Sequence, residues 1–251
     1  MHTSFCDGKD SPEEMVLSAI EKGLSIVGIA VHSYTDFDLS YCIKRSRIPD
    51  YLKTVVKLKS KYKDKIRVLC GIEQDMHAPL PTSDYDYVIG SLHYVNTIDG
   101  KVPIDSSEQI FTRCAKQYFG GDYYALAESY FENVANVAEI TKCDIIGHFD
   151  LISKYNENGK YFDEDHPRYV KAYTKALDRL LKANVPFEIN TGAMSRGCKS
   201  TVYPNKKMRD YILSKGGKFI LSSDSHSKEN IAFGFDEARK LVPEESLVFL
   251  P

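Results

Sequence analysis

Short apolar segments that alternate with amphipathic helices constrain the fold of this chain more than any other feature of its sequence. Residues 25–31 form an apolar run without polar alternation, which is typical of a strand buried on both faces. Further strands are predicted at residues 65–73, 87–93, 144–148, 185–190 and 218–224. Helices are predicted at residues 11–23, 49–63, 106–141 with a break near 120–122, 166–184, 205–215 and 228–241. Strands alternating with helices predict a parallel sheet.

The same pattern favours a barrel over an open nucleotide-binding sheet. The sequence contains no glycine-rich dinucleotide-binding or phosphate-binding loop. A closed or distorted α/β barrel is therefore the expected architecture, and the 251 residues fit a single domain spanning 1–251. The hydrophobic fraction of 43% is sufficient for a core of that size.

Composition excludes several classes of partner and compartment. There are 33 Lys and Arg against 35 Asp and Glu, so the net charge of −2 does not provide the basic footprint typical of nucleic-acid binders. No segment approaches the roughly 20 apolar residues of a membrane helix. The N-terminus lacks the pattern of a signal peptide. The six cysteines include no C-x-x-C pair, which predicts reduced thiols in a cytoplasmic protein.

Possible metal ligands fall at the ends of the predicted strands. In a parallel barrel the carboxyl ends of all strands share one face, and active sites lie there. Five strand ends each supply an imidazole or a carboxylate, and two residues near the start of the chain can join them. These candidates are His32, Glu73, His93, His148, Asp224 and His226, together with His2 and Asp7.

Taken together, these residues favour a metal centre more strongly than any of them does alone. A single histidine at a strand end is more often a hydrogen-bonded structural residue, and Glu73 or Asp7 alone could serve in a salt bridge or a turn. Residues with separate structural roles would not be expected to lie all on the same face of the barrel. Imidazole and carboxylate ligands suit zinc, manganese or iron. Eight candidate ligands are more than one tetrahedral metal ion can bind, so they predict a cluster of several ions. Such clusters commonly catalyse displacement reactions at phosphoesters.

The motifs around these residues resemble those of the polymerase-and-histidinol-phosphatase (PHP) superfamily over essentially the whole chain. The matching segments are residues 2–8 (HTSFCDG), His32, 71–73 (GIE), 91–93 (SLH), 147–150 (GHFD) and 224–226 (DSH). Residues 147–152 (GHFDLI) and 188–192 (EINTG), followed by Arg196 and Tyr203-Pro204, look like the histidinol-phosphatase branch.

This resemblance implies a distorted (β/α)7 TIM-like barrel that holds three divalent metal ions. The implied ligand sets are His2, Glu73 and Asp224 for the first ion, Glu73, His93 and His148 for the second, and Asp7, His32 and His226 for the third. Arg196 matches the phosphate-binding arginine of the family and would act in catalysis with Glu73 and Asp224. A guanidinium fork suits phosphate geometry, although without the resemblance a solvated loop arginine is an equal alternative.

Two positions depart from the family pattern. The first family motif is His-x-His after a short strand, whereas this sequence begins at Met1, in the middle position of the motif. Weakened occupancy of the first metal is therefore expected if nothing precedes Met1. Val31 stands where many members carry an acidic residue before the histidine, which would tune the surroundings of the metal rather than remove a ligand.

The function that the resemblance implies is metal-dependent hydrolysis of L-histidinol phosphate in histidine biosynthesis. Asp36, Phe37 and Asp38 are candidates for contacting the amine and imidazole of that substrate, with a plain exposed loop as the alternative. Two other functions stay open: a PHP phosphoesterase acting on another ester, such as a phosphotyrosine protein or a nucleotide, and a catalytically impaired metal-binding barrel. The expected partner is a small-molecule phosphate ester, with no nucleic acid and no membrane, and the oligomeric state stays open.

Overall fold

A computed structural model describes residues 1–249 as a parallel sheet surrounded by helices. The strands are β1 (Ile26–His32), β2 (Arg67–Asp75), β3 (Tyr87–Ser91), β4 (Tyr94–Thr97), β5 (Gly100–Pro103), β6 (Ile145–Ile146), β7 (Phe187–Asn190) and β8 (Phe219–Ser222). The helices are α1 (Pro12–Glu21), α2 (Ile48–Tyr62), α3 (Glu108–Tyr118), α4 (Tyr123–Val134), α5 (Val137–Thr141), α6 (Pro167–Leu180), α7 (Gly192–Ser195), α8 (Lys206–Ser214) and α9 (Phe235–Arg239).

The six strands predicted from apolar runs form one parallel sheet in the order β1-β2-β3-β6-β7-β8. Every residue of β3 and of β7 is buried. The mostly apolar sequence of β3 is typical of such a strand, whereas β7 alternates, with Glu188 and Asn190 buried as polar residues. Strands β4 and β5 form a separate antiparallel hairpin that lies outside the predicted strands.

The parallel sheet is curled, so that its two edge strands approach each other at their carboxyl ends. In a flat sheet of six strands spaced about 4.8 Å apart, β1 and β8 would lie about 24 Å from each other. Here the ring centroids of His32, at the end of β1, and His226, shortly after β8, are 5.9 Å apart. This curvature confirms the predicted α/β class with a barrel-like sheet.

The backbone of Met1 and His2 spans the gap between the two edge strands. The Ala30 N–H donates to the Met1 carbonyl (2.9 Å), and the Met1 amine donates to the Gly28 carbonyl (3.3 Å). On the other side, the His2 N–H donates to the Ser225 carbonyl (2.8 Å). Backbone hydrogen bonds therefore hold His2 at the mouth of the sheet. The parallel sheet described within residues 1–249 has the six strands predicted from the residues, one fewer than the resemblance implies.

The long helical segment predicted at residues 106–141 is divided into α3, α4 and α5. The first break lies where it was predicted, because Gly120 and Gly121 adopt positive φ angles of 62° and 83° and the Asp122 side chain caps α4. No helix within residues 1–249 has the length and apolarity needed to cross a membrane.

The prediction of one helix over residues 228–241 is wrong. A 3-10 turn at Lys228–Asn230 is followed by the five-residue helix α9. Between them Ala232 and Gly234 adopt φ angles of 55° and 67°, a left-handed conformation that ends a right-handed helix. Alanine rarely adopts this conformation, so Gly234 was the only one of the two residues whose type indicated a break.

The Tyr87 side chain packs on one face of the sheet, over β1 and β2. Its side chain is buried against Gly28 and Gly71, one from each strand. A Cβ atom on Gly71 would lie 2.3 Å from a ring carbon, and one on Gly28 would lie 2.2 Å from the phenolic oxygen. Both strands therefore need glycine for close approach of a neighbouring ring.

We expect Gly71→Ala to lower the free energy of unfolding by about 1–3 kcal/mol, because the added methyl group must displace a buried ring. Urea denaturation of the wild-type and substituted proteins measures this difference. In a Tyr87→Leu background the same substitution should cost much less, because the ring is gone. An equal cost in both backgrounds would contradict this explanation.

Candidate metal centre

The eight predicted ligands converge at the carboxyl end of the curled sheet. Each of the six parallel strands except β7 delivers at least one of them, either within the strand or shortly after it: His32 (β1), Glu73 (β2), His93 (after β3), His148 (after β6), and Asp224 and His226 (after β8). His2 and Asp7 approach from the first loop. The histidines deepest in the site are buried, whereas Asp7 and His226 keep 32% and 24% of their side chains exposed at the mouth.

The Glu73 carboxylate lies at the centre and contacts four imidazoles. Its Oε1 atom lies 3.3 Å from His93 Nε2 and 3.0 Å from His148 Nε2. Its Oε2 atom lies 3.1 Å from His2 Nε2 and 3.3 Å from His32 Nδ1. Since each oxygen faces a different pair of histidines, this carboxylate has the geometry to serve two ions at once.

A second group of donors surrounds Asp7 at the mouth. Asp7 Oδ1 lies 3.7 Å from His32 Nε2, and Oδ2 lies 3.4 Å from His226 Nε2. The His2 ring also belongs to this group and stacks between the rings of His32 and His226, with centroid distances of 4.1 Å and 4.2 Å. One donor atom from each of these four residues lies within 4.8 Å of the others.

Asp224 connects the buried centre to Arg196. Its Oδ1 atom lies 3.0 Å from His2 Nε2, and its Oδ2 atom accepts a hydrogen bond from Arg196 Nη2 (3.1 Å). Arg196 Nη1 donates to the Asp224 carbonyl (3.0 Å). Asp224 has a φ of 43°, a strained conformation of the kind found at functional sites. Gly192 permits the close approach, because a Cβ there would lie 2.8 Å from Asp224 Oδ2.

Pairing keeps the buried carboxylates ionised. Burial alone would raise the pKa of Glu73, yet the surrounding imidazoles hold that pKa well below its ordinary value. Burial likewise opposes ionisation of Asp224, but Arg196 and His2 hold its pKa well below the ordinary value. Burial and repulsion from His2 lower the pKa of His32 to about 3, so this imidazole is neutral.

The donor set fits divalent metal ions. Within residues 1–249, three groups each place their donor atoms within 4.8 Å of one another, and they contain only imidazole nitrogens and carboxylate oxygens. These groups are His2, Asp7, His32 and His226; His32, Glu73 and His93; and His2, Glu73 and Asp224. Such ligands suit zinc, manganese and iron. Two of the groups share Glu73, which favours neighbouring ions over isolated ones.

Two buried carboxylates of the centre were not among the predicted site residues. Asp75 Oδ2 accepts a hydrogen bond from the His93 backbone N–H (3.0 Å), and Glu188 Oε2 accepts one from the His148 backbone N–H (3.0 Å). A sequence signal existed for Asp75, because it follows Glu73 by two residues in the same strand and therefore shares its face.

The loop after β1 brings aromatic rings close to the centre, while Asp36 is exposed and the Asp38 carboxylate is already hydrogen-bonded. Asp38 Oδ2 accepts a hydrogen bond from the Tyr94 hydroxyl (2.8 Å), and its Oδ1 accepts one from Ser40. Ring contacts connect Phe37 to Tyr94 (4.9 Å), Tyr94 to Tyr41 (6.2 Å) and Tyr41 to His32 (4.9 Å). Phe37, Tyr94 and Tyr41 thus form an aromatic wall that reaches the metal ligands.

Comparison with known proteins identifies related chains. The family model "PHP domain" matches residues 1–192. "Probable histidinol-phosphatase" of Schizosaccharomyces pombe is 30% identical over 210 residues, which cover 77% of this chain and 64% of that protein. The chain thus spans slightly less than two thirds of that relative. "Probable histidinol-phosphatase" of Deinococcus radiodurans is 27% identical over 256 residues, covering 96% of this chain and 90% of that protein.

A solved structure has the same fold. Histidinol phosphate phosphatase of Lactococcus lactis, crystallised with zinc, L-histidinol and phosphate, superposes with a TM-score of 0.75 at 21% identity. The match covers 99% of this chain and 92% of that one.

We expect metal binding to release protons near pH 7. Burial disfavours the charged forms of His2 and His93, but neighbouring carboxylates outweigh it and raise both pKa values well above the ordinary value. Both rings are therefore protonated near neutral pH in the metal-free protein, whereas a ligating imidazole must be neutral. Zinc affinity should accordingly fall as the pH falls.

Calorimetric zinc titrations in buffers of different ionisation enthalpy measure the protons released. The observed heat should vary with the buffer at pH 7, and the apparent affinity should be lower at pH 6 than at pH 8. A heat that is the same in every buffer would contradict the raised pKa values.

Proposed function

The chain belongs to the PHP domain family, and we propose that it is a histidinol-phosphatase that hydrolyses L-histidinol phosphate to L-histidinol and phosphate in histidine biosynthesis. The observation that carries the proposal is the Glu73 carboxylate, whose two oxygens face two different pairs of imidazoles. The names of the two curated relatives and the ligands of the Lactococcus lactis structure support the choice of substrate.

We propose that the centre holds three divalent ions, which could be zinc, manganese or iron. The proposed ligand sets are His2, Glu73 and Asp224; Glu73, His93 and His148; and Asp7, His32 and His226. Each set is compatible with the contacts around Glu73, Asp224 and Asp7. When bound, such ions polarise phosphoryl oxygens and lower the pKa of water so that a nucleophile is available near neutral pH.

Arg196 is the proposed phosphate-binding residue. A guanidinium group has five N–H donors, and Asp224 engages one on each terminal nitrogen of Arg196. Arg196 Nη1 also lies 3.0 Å from His226 Nδ1. The donors that these contacts leave unused can bind phosphoryl oxygens and offset the charge that develops on them. The contact with Asp224 fixes the plane of the guanidinium beside the proposed metal ligands, so that no reorientation is needed during the reaction.

The aromatic wall is the proposed contact for the organic part of the substrate. Phe37 is 38% exposed, and its ring is part of the series of contacts that ends at His32. An imidazole group stacks well on such rings, and its protonated form gains a cation–π attraction. The Asp38 carboxylate already accepts hydrogen bonds from Ser40 and Tyr94, which favours a role in shaping this wall.

We further propose that residues 1–251 form one domain and that the protein acts in the cytoplasm on a small-molecule phosphate ester. In this proposal neither a nucleic acid nor a membrane is a partner. The net charge of −2 supports the first exclusion.

Substitution of the proposed catalytic residues tests the mechanism. We expect Asp224→Asn and His93→Ala to lower kcat at least about 100-fold, because each removes a metal ligand. Arg196→Ala should lower kcat/KM by about 10²–10³-fold through loss of charge stabilisation. Phosphate release with added zinc or manganese measures these effects. Arg179→Ala, which breaks an exposed ion pair with Glu139, is the control and should retain activity.

A panel of phosphate esters separates the proposed substrate from its alternatives. L-Histidinol phosphate should have the highest kcat/KM when compared with a phosphotyrosine peptide and nucleoside monophosphates. A higher value for another ester would show that the substrate is wrong although the reaction class is right. Full metal content without hydrolysis of any ester would favour the catalytically impaired barrel.

A further inference from the structure

The last residue of β2, Asp75, lies behind one of the proposed metal ligands. Its side chain is buried, with 2% of the residue exposed. Asp75 Oδ2 lies 3.0 Å from His93 Nδ1 and also accepts the His93 backbone N–H at 3.0 Å. The other oxygen, Oδ1, accepts the His77 backbone N–H at 2.8 Å. This carboxylate therefore holds both the main chain and the ring of His93.

The contact with Asp75 determines which nitrogen of His93 can bind a metal. An ionised carboxylate only accepts hydrogen bonds, so His93 Nδ1 must carry the proton. In the neutral form that metal binding requires, the lone pair is then on Nε2, the atom that lies 3.3 Å from Glu73 Oε1 at the centre. A carboxylate that accepts the far N–H of a ligating histidine fixes its orientation and increases its basicity.

The other four imidazoles of the centre have weaker or different partners at the second nitrogen. His2 Nδ1 lies 3.6 Å from the Cys6 thiol, and His226 Nδ1 lies 3.0 Å from both the Asp224 carbonyl oxygen and Arg196 Nη1. His148 Nδ1 is buried without a hydrogen-bond partner within residues 1–249. His32 presents both nitrogens to carboxylates of the centre, Asp7 and Glu73. His93 thus differs in having a carboxylate that contacts no other ligand of the centre.

We propose that Asp75 is a positioning residue that sets the metal affinity of the site containing His93. This inference rests on the proposed metal centre and goes beyond it, since Asp75 itself coordinates no ion. It acts by fixing the ring of His93 with Nε2 towards Glu73 and by supplying negative charge behind that ring.

Zinc affinity of the whole protein tests this role independently of catalysis. Competition titration with a chromophoric chelator should show that Asp75→Asn weakens one zinc-binding step by about 10–100-fold. The asparagine retains the size of the side chain but removes its charge. Asp144→Asn is the matched control, because Asp144 Oδ2 accepts the Val88 backbone N–H (2.8 Å) at the opposite end of the sheet. It should bind zinc like the wild type.

A double substitution separates positioning from a general structural effect. In a His93→Ala background, Asp75→Asn should cause no further loss of zinc affinity, because the ring that it orients is absent. The inference would be overturned if Asp75→Asn lowered zinc affinity equally in that background. It would also be overturned if Asp75→Asn alone had wild-type zinc affinity. A wild-type protein that binds no zinc, manganese or iron would overturn the proposed metal centre and this inference with it.

Discussion

The buried carboxylate of Glu73 is the group on which the rest of the centre depends. A charge in such a place is costly unless partners compensate it, and here four imidazoles surround its two oxygens. These imidazoles belong to residues 2, 32, 93 and 148, so the chain must bring distant segments to one point. A curled parallel sheet does so, because each strand ends at the same mouth.

The curl of the sheet also brings together the ligands that come from its two edge strands. His32 leaves one edge strand, and Asp224 and His226 follow the other, so the group around Asp7 exists only if these edges meet. The backbone of Met1 and His2 joins them by hydrogen bonds to Ala30 and Ser225. Asp224 in turn fixes Arg196, because its carboxylate contacts both His2 and the guanidinium. The left-handed backbone of Asp224 and the close approach of Gly192 accompany this arrangement.

The sequence was sufficient to predict the parallel sheet and which side chains would meet at its mouth. Apolar runs are local signals, and the shared face of strand ends is a general property of parallel barrels. Contacts behind the ligands were harder to predict. Glu188 reaches the His148 backbone from a neighbouring strand, and Tyr87 packs on glycines of two other strands, so both depend on the registers of the strands. The break at Ala232 depends on a conformation that alanine seldom adopts.

Anomalous diffraction from crystals of the zinc-loaded protein can show whether Glu73 joins neighbouring metal ions. We expect neighbouring anomalous peaks at the mouth of the sheet, with the two oxygens of Glu73 bound to different ions. A single ion that does not contact Glu73, or anomalous peaks only elsewhere on the molecule, would contradict it.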